Sequence, residues 1–310
     1  MDVGIGLDLG GTDLKFALVT RSGRALSTGS VPTIADKGTR GLKACLATAV
    51  QAAQAAAKAK RVRVVAIGMG LPGAVRGRDG LITVVPPQIP RIRGLRTATE
   101  LRRLAQVPAA VENDATVAAL AEARCGAGRG RNCVLMVTVG TGLGGGLVVH
   151  GRVVRGAFGT GGEIGHGVFV KDGLACRHDG ADGRGCLELY TSATALVRIH
   201  AEHGGEADLT PREIVKRARA GARAARAALR ELGTNLGLGL ATAAALVAPD
   251  VIVVGGGFSN AGRLLLDPVR AAFKKQTLRP LIRGVPVVLA RLRNDAGCVG
   301  AGLLGLEEGV

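Results

Sequence analysis

A turn of glycine and threonine set between two apolar strands occurs twice in this chain, and that recurrence limits the fold more than any other feature. The first copy is Asp8-Leu9-Gly10-Gly11-Thr12-Asp13-Leu14-Lys15, between the alternating segment Val3 to Leu7 and Phe16-Ala17-Leu18-Val19. The second is Gly140-Thr141-Gly142-Leu143-Gly144-Gly145-Gly146, between Val134 to Val139 and Leu147-Val148-Val149. Apolar alternation and β-branched runs mark the flanks as strands, so each turn joins strand to strand and not strand to helix. A single such turn would be an ordinary glycine hairpin. Two of them read as an internal duplication, with one α/β half built around each. Glycines let a backbone approach a ligand closely, and successive N–H groups can form an anion-binding nest. Facing each other, the two turns would grip a phosphate chain from both sides. Thr12 adds a hydroxyl donor, Lys15 a cation, and Asp8 is suited to hold a metal ion at the strand's end.

Between the turns, Arg24 to Val31 reads as a strand, Lys37 to Lys60 as a long Ala-rich helix and Val62 to Ile67 as a buried strand ending in Gly68-Met69-Gly70-Leu71-Pro72-Gly73. A loop with Pro86, Pro87 and Pro90 precedes a helix from Thr97 to Leu104, a strand from Pro108 to Val111 and a helix from Ala115 to Arg124. After the second turn, Arg155 to Gly185 is polar and reads as loop. Helices follow from Glu188, from Pro211 and over Ala222 to Val247; Val251 to Val254 is a buried strand ending in Gly255-Gly256-Gly257, and a final helix starts near Asn294-Asp295. Loops at the carboxyl ends of strands are where open α/β sheets bind ligands.

A formal charge of +17 raises nucleic acid, anionic lipid or a polyanionic substrate as partners. The positive residues are mostly arginines spread over helices and loops, without a basic tail or interleaved aromatics. With no tryptophan and one tyrosine, Tyr190, base stacking has little to work with. A solvated basic surface explains the charge better than nucleic acid, and phosphate-rich ligands come second. Six cysteines without a secretory framework, no basic-then-apolar leader and no run of membrane-spanning length predict a reduced, cytoplasmic protein with no membrane partner.

Three clusters carry chemistry. Glu112-Asn113-Asp114 precedes a helical run, so Asn113 or Asp114 is first of all an N-cap. Asp114 can also serve as general base toward an attacking hydroxyl, with Asn113 orienting the substrate. Glu163 and His166 stand three apart after a glycine-rich loop, a pairing suited to sugar hydroxyls, which both donate and accept. His166, Cys176, His178 and Cys186 are four candidate zinc ligands in a segment with little core-forming sequence. Gly255-Gly256-Gly257 lacks the spacing of a dinucleotide fingerprint, but its backbone could approach the adenosine part of a nucleotide.

These stretches, together with Gly70-Leu71-Pro72-Gly73, Glu163-Ile164-Gly165-His166 and Gly185-Cys186-Leu187-Glu188, occur in the order of the ROK family (repressors, open reading frames, sugar kinases), which the chain resembles from Val3 to about Gly305. The resemblance implies a two-lobed, actin-like (ribonuclease H-like) ATPase fold with duplicated α/β domains around a central cleft. It puts the N-terminal lobe at 1–112, completed by a helix over 295–310, and the second lobe, with the zinc loop and a dimerisation surface, at 113–294. It implies ATP- and Mg2+-dependent phosphorylation of a hexose, glucose foremost, in a homodimer with structural Zn2+. Gly73, Asn113, Asp114, Glu163, His166 and Glu188 would hold the sugar, and Asp114 would be the base. Asp8, Gly10, Gly11, Thr12, Lys15, Gly140, Thr141, Gly142, Gly256 and Gly257 would hold the nucleotide.

Two departures from the family pattern stand out. His178 replaces the middle cysteine of the zinc loop, which also carries an insertion before Gly185-Cys186. The loop Val85-Pro86-Pro87-Gln88-Ile89-Pro90 lacks the asparagine and aromatic common in glucose kinases, which leaves N-acetylmannosamine, N-acetylglucosamine and fructose as alternative acceptors. A sugar-sensing regulator is the rival of another class; family repressors carry a helix-turn-helix before the first strand, and here a strand begins at Val3.

Overall fold

A computed structural model describes residues 1–33, 37–85, 92–178, 181–278 and 280–308, with the side chains at 177, 178, 181 and 281 outside the description. Strand β1 (Asp2–Leu9) runs through the first glycine-threonine turn into β2 (Asp13–Val19), and β3 (Ala25–Pro32) follows. Helix α1 (Gly38–Ala59) leads to β4 (Arg63–Leu71) and a hairpin of β5 (Ala74–Arg76) and β6 (Leu81–Val84). Then come α2 (Thr97–Ala105), β7 (Ala109–Asn113) and α3 (Asp114–Cys125). The hairpin was not expected from the sequence, because strands of three and four residues leave too short an alternation to detect.

Strand β8 (Cys133–Val139) enters the second turn and β9 (Leu143–Val149) leaves it, followed by β10 (Arg152–Val153). Gly144, Gly145 and Gly146 belong to β9 and not to the turn, which shortens the turn expected from the sequence. Gly146 is needed there because a side chain would run into Ala115, Thr116 and Ala119 of α3. The expected loop from Arg155 to Gly185 contains a second hairpin, β11 (Ala175–His178) with β12 (Ala181–Arg184), in addition to a short 3-10 turn at Ile164–His166. Next are α4 (Glu188–Thr191), α5 (Ala193–Glu202), α6 (Pro211–Arg219) and α7 (Arg223–Val247). Helix α6 starts as its sequence dictates, with Pro211 in its first turn and a capping box between Thr210 and Glu213. The chain closes with β13 (Val251–Gly255), α8 (Arg263–Gln276), α9 (Pro280–Arg283), β14 (Val287–Leu289) and α10 (Ala296–Glu308).

The chain divides into two compact units. The first comprises Met1–Gly130, Gly146–Gly162 and Asn294–Val310. Its sheet has the order β3-β2-β1-β4-β7, with β1, β2 and β3 antiparallel and β1, β4 and β7 parallel. Val3, Ile5, Leu7 and Leu9 pack with Leu42, Leu46 and Val50 of α1 and Leu101 of α2 on one face. On the other face α10 lies directly on the strands: a side chain at Gly6 or Gly68 would run into the backbone of Cys298 or Ala301. The second unit comprises Arg131–Gly145 and Glu163–Arg293. There β8, β13 and β14 run parallel, and α7 packs on α8 through Gly233 and Gly237, where a side chain would meet the α8 backbone. Among the described residues, no helix is long and apolar enough to cross a membrane.

Candidate active site

In the first unit, β1 and β2 hold the opening turn through Gly10 N–H to Asp13 O at 2.9 Å. Thr33 fixes it from beyond β3, its N–H donating to Thr12 O at 2.8 Å and its hydroxyl to Gly10 O at 3.1 Å. Gly10, Gly11 and Thr12 are exposed. A Cβ at Gly11 would meet none of the described residues within 4 Å, and Gly11 is not among the glycines of positive φ. No described residue therefore demands glycine at 11, and the bare backbone there suits close approach by a ligand.

Asp8 and Lys15 are register partners across β1 and β2, so their side chains share a face. Burial, and then the charge of Asp114, raise the Asp8 carboxyl from 3.8 to about 6, while Lys15 pulls it down. Two carboxylates raised by burial, one of them also by the charge of the other, are suited to a divalent cation, whose charge would favour the ionised forms. Asp8 fits Mg2+ on that ground.

Asn113 ends β7 and caps α3: its Oδ1 accepts the N–H groups of Ala115 at 2.9 Å and Thr116 at 3.1 Å. Its Nδ2 donates to Gly73 O at 3.0 Å, and Gly73 takes a φ of 99° that a side chain would resist. Its own N–H goes to the Glu112 carboxylate at 2.9 Å. Asp114 follows with Oδ1 accepting from Ala115 N at 2.8 Å, and burial raises its pKa. A carboxylate poised above its ordinary range, at the mouth of a capped helix, is the chemistry a general base requires. The cap is thus made by Asn113, which leaves the Asp114 carboxylate outside the capping pair of bonds.

In the second unit, the turn Gly140-Thr141-Gly142 is braced differently. Gly140 N–H donates to Gly142 O at 3.0 Å, Gly140 O accepts from Ala193 N at the start of α5 at 2.8 Å, and Leu143 N–H donates to Glu188 Oε2 at 2.8 Å. Glu188 therefore supports the turn, a function the sequence did not signal. Gly140 is open to solvent on its Cβ side, whereas a Cβ at Gly142 would run into the Glu188 carboxylate. Gly256 adopts a φ of 81° with its Cβ direction blocked by the Val139 backbone, so the fold itself demands it; Gly257 faces open space.

Glu163 and His166 lie together, with Oε2 3.7 Å from Nε2. Cys176 and Cys186 are buried side by side, and Cys186 N–H donates to Cys176 Sγ at 3.0 Å. Burial and the neighbouring Cys176 sulfur push the Cys186 thiol upward. Two adjacent sulfurs, one already accepting an N–H, fit half of a tetrahedral zinc set. Among the described residues no three of His, Cys, Asp and Glu gather as a metal set, so His166 does not join the cysteines. The side chain of His178 and the proline loop at 86–90 lie outside the described residues.

The chain matches the ROK family over residues 4–308 and belongs to it. A glucokinase of Streptomyces coelicolor is 36% identical, with 99% of this chain and 98% of that protein covered. A ROK family glucokinase of Streptomyces griseus, solved in complex with glucose and AMPPNP, superimposes with a TM-score of 0.83 at 34% identity, covering 98% of this chain and 99% of that one. The ROK hexokinase of Thermus thermophilus gives a TM-score of 0.81, also at 34% identity, with 99% and 98% covered. The fold is that of the actin-like ATPases, with mixed α/β units.

Proposed function

We propose that this protein is an ATP-dependent kinase that transfers the terminal phosphoryl group of ATP to a hydroxyl of glucose. The observation that carries this reading is the capped Asn113-Asp114 turn in a chain alike over its whole length to a kinase crystallised with glucose and an ATP analogue. Phosphoryl transfer asks little covalent work of a protein; it asks for positioning and charge neutralisation. Asp114 accepts the proton of the attacking hydroxyl, and Asn113, Gly73, Glu163 and His166 hold the sugar. Glu188 can serve the sugar with the carboxylate oxygen that does not brace the turn. The N–H groups of Gly11, Thr12 and Thr141 and the Lys15 ammonium meet the nucleotide, Gly10, Gly140 and Gly142 shape the turns that present them with their own side-chain-free backbone, and Gly256 and Gly257 lie toward its adenosine part. Asp8 holds Mg2+, which neutralises charge on the phosphates.

Cys176 and Cys186 supply the sulfurs of a structural Zn2+ site, with His178 and His166 as nitrogen ligands brought in on binding. The raised thiol makes that site pH-dependent, because zinc must displace protons. Metal analysis of chelator-washed protein tests it, and less than half an equivalent of zinc with full sugar affinity rules it out. By family likeness the protein is a homodimer that works in the cytoplasm on glucose entering glycolysis, and sedimentation tests the dimer. ADP release measured over glucose, N-acetylmannosamine, N-acetylglucosamine and fructose tests the reaction itself. The reading requires glucose to be turned over with the highest kcat/KM; DNA binding without any turnover would replace it with the regulator.

A further inference from the structure

Glu112 is a carboxylate that phosphoryl transfer does not use, yet it is only 2% exposed and lies one residue before Asn113. One oxygen accepts Asn113 N–H at 2.9 Å, and the other contacts Nε of Arg155. Arg155 in turn reaches Glu308 near the end of α10, its Nη2 donating to Oε2 at 2.6 Å. The guanidinium is thus a planar fork between two carboxylates drawn from distant parts of the first unit. The segment carrying Arg155 is itself tied down: Gly161 N–H donates to Arg155 O at 2.8 Å, and Gly159 presses against the carbonyl of Val75.

A buried ion pair is an expensive way to fill space, and apolar residues of similar volume would often stabilise the fold more. What Glu112 gives that an apolar residue cannot is a fixed acceptor for the N–H of Asn113. With that bond made, Asn113 is held at three points: its N–H by Glu112, its Oδ1 by the start of α3 and one hydrogen of its Nδ2 by Gly73, while the second Nδ2 hydrogen is left for the sugar. The peptide that follows carries Asp114.

We propose that Arg155 is a positioning residue for the base: by holding Glu112 it fixes the backbone of Asn113 and Asp114, so that the Asp114 carboxylate meets the sugar hydroxyl in one orientation. The proposal rests on the reading of Asp114 as the base. Arg155 touches neither sugar nor nucleotide in this role. A misplacement of about 1 Å at a reacting group can cost about a hundredfold in rate, so a device of this kind is worth an ion pair.

The test uses the full-length protein and ADP release with glucose and ATP, together with glucose binding by calorimetry. Arg155→Ala is made in the unmutated protein and in the Asp114→Asn variant. The expected result is a fall in kcat of about tenfold to a hundredfold with glucose affinity changed by less than about threefold. Arg155→Lys should recover only part of the rate, because an ammonium cannot bridge two carboxylates as a fork does. In the Asp114→Asn background the same Arg155→Ala change should cost less than about twofold, since no base remains to be misaligned. Equal losses in both backgrounds, or weakened glucose binding with kcat intact, would overturn the proposal. If Arg155→Ala does not fold, Glu308→Ala releases only the exposed arm of the fork; a smaller, equally non-additive loss supports the proposal and an unchanged kcat overturns it. Failure of the underlying reading is distinct, since it appears as an Asp114→Asn enzyme that still turns over.

Discussion

The two glycine-threonine turns read alike in the sequence, yet they are held in different ways. Backbone bonds across β1 and β2 and the single residue Thr33 secure Gly10-Gly11-Thr12, with open space around Gly11. The second turn leans on a side chain: Glu188 accepts the Leu143 N–H and fills the space that a Cβ of Gly142 would need. In the first turn, then, no described neighbour asks for glycine at 11, as the proposed approach of a nucleotide would. In the second, Gly142 serves an internal brace whose carboxylate comes from the helix after the cysteine loop. One motif can thus reflect two physical causes, and substitutions tell them apart.

The largest effect is expected beside the first turn. The Asp8 carboxyl titrates at about 6 in the folded protein, raised by burial and Asp114, against 3.8 ordinarily. As pH rises from 3.8 to about 6 the unfolded chain loses this proton first. Folding of the metal-free protein is therefore penalised progressively across that window, and the penalty is constant above it. At 1.36 kcal/mol per pKa unit the penalty is about 3 kcal/mol. Asp8→Asn should remove it, giving a protein that unfolds at higher denaturant at pH 7 but no longer responds to Mg2+-nucleotide. Unfolding curves at pH 4 and pH 7 decide this, and a variant with the unmutated protein's pH dependence contradicts it.

Next in size is Gly142→Ala. The methyl displaces the end of a flexible side chain, so the fold should survive while the Leu143 bond is lost. We expect kcat/KM to fall on the order of a hundredfold through a misplaced turn. An active variant would mean that Glu188 is not a brace. Gly11→Val sharpens the contrast. Its side chain enters open space, so stability should change by no more than about 0.5 kcal/mol, whereas nucleotide affinity should drop about tenfold, or ~1.4 kcal/mol. Calorimetry with nucleotide and glucose separately would show the first weakened and the second intact; unchanged nucleotide affinity would remove the turn from the site.

Much of this was legible in the sequence because its signals are local. Strand alternation around Gly10 and Gly140, the cap at Asn113 and the Pro211 helix start all depend on residues within a few positions of each other. The family pattern carried the fold class, but not the two short hairpins β5–β6 and β11–β12. The brace by Glu188 and the ties from Thr33 and Arg155 were not legible, because each joins residues far apart in sequence whose types are common throughout the chain. Nor did sequence distinguish Gly256, fixed by its φ and the Val139 backbone, from Gly257, which no internal contact requires. The cysteine loop shows the same limit: spacing suggested four ligands, whereas the fold brings Cys176 to Cys186 without His166.

The central claim is that Asp114 removes the proton from the sugar hydroxyl, with Asn113 as the cap that holds it in place. Asp114→Asn keeps the size of the side chain and an oxygen for the Ala115 N–H, and removes only the base. Steady-state ADP release with glucose, paired with glucose calorimetry on the same preparation, tests this most directly. The account predicts a loss in kcat of about a hundredfold or more while glucose still binds. Turnover within a few-fold of the unmutated protein would contradict it, and would leave Asp114 as part of the helix cap alone.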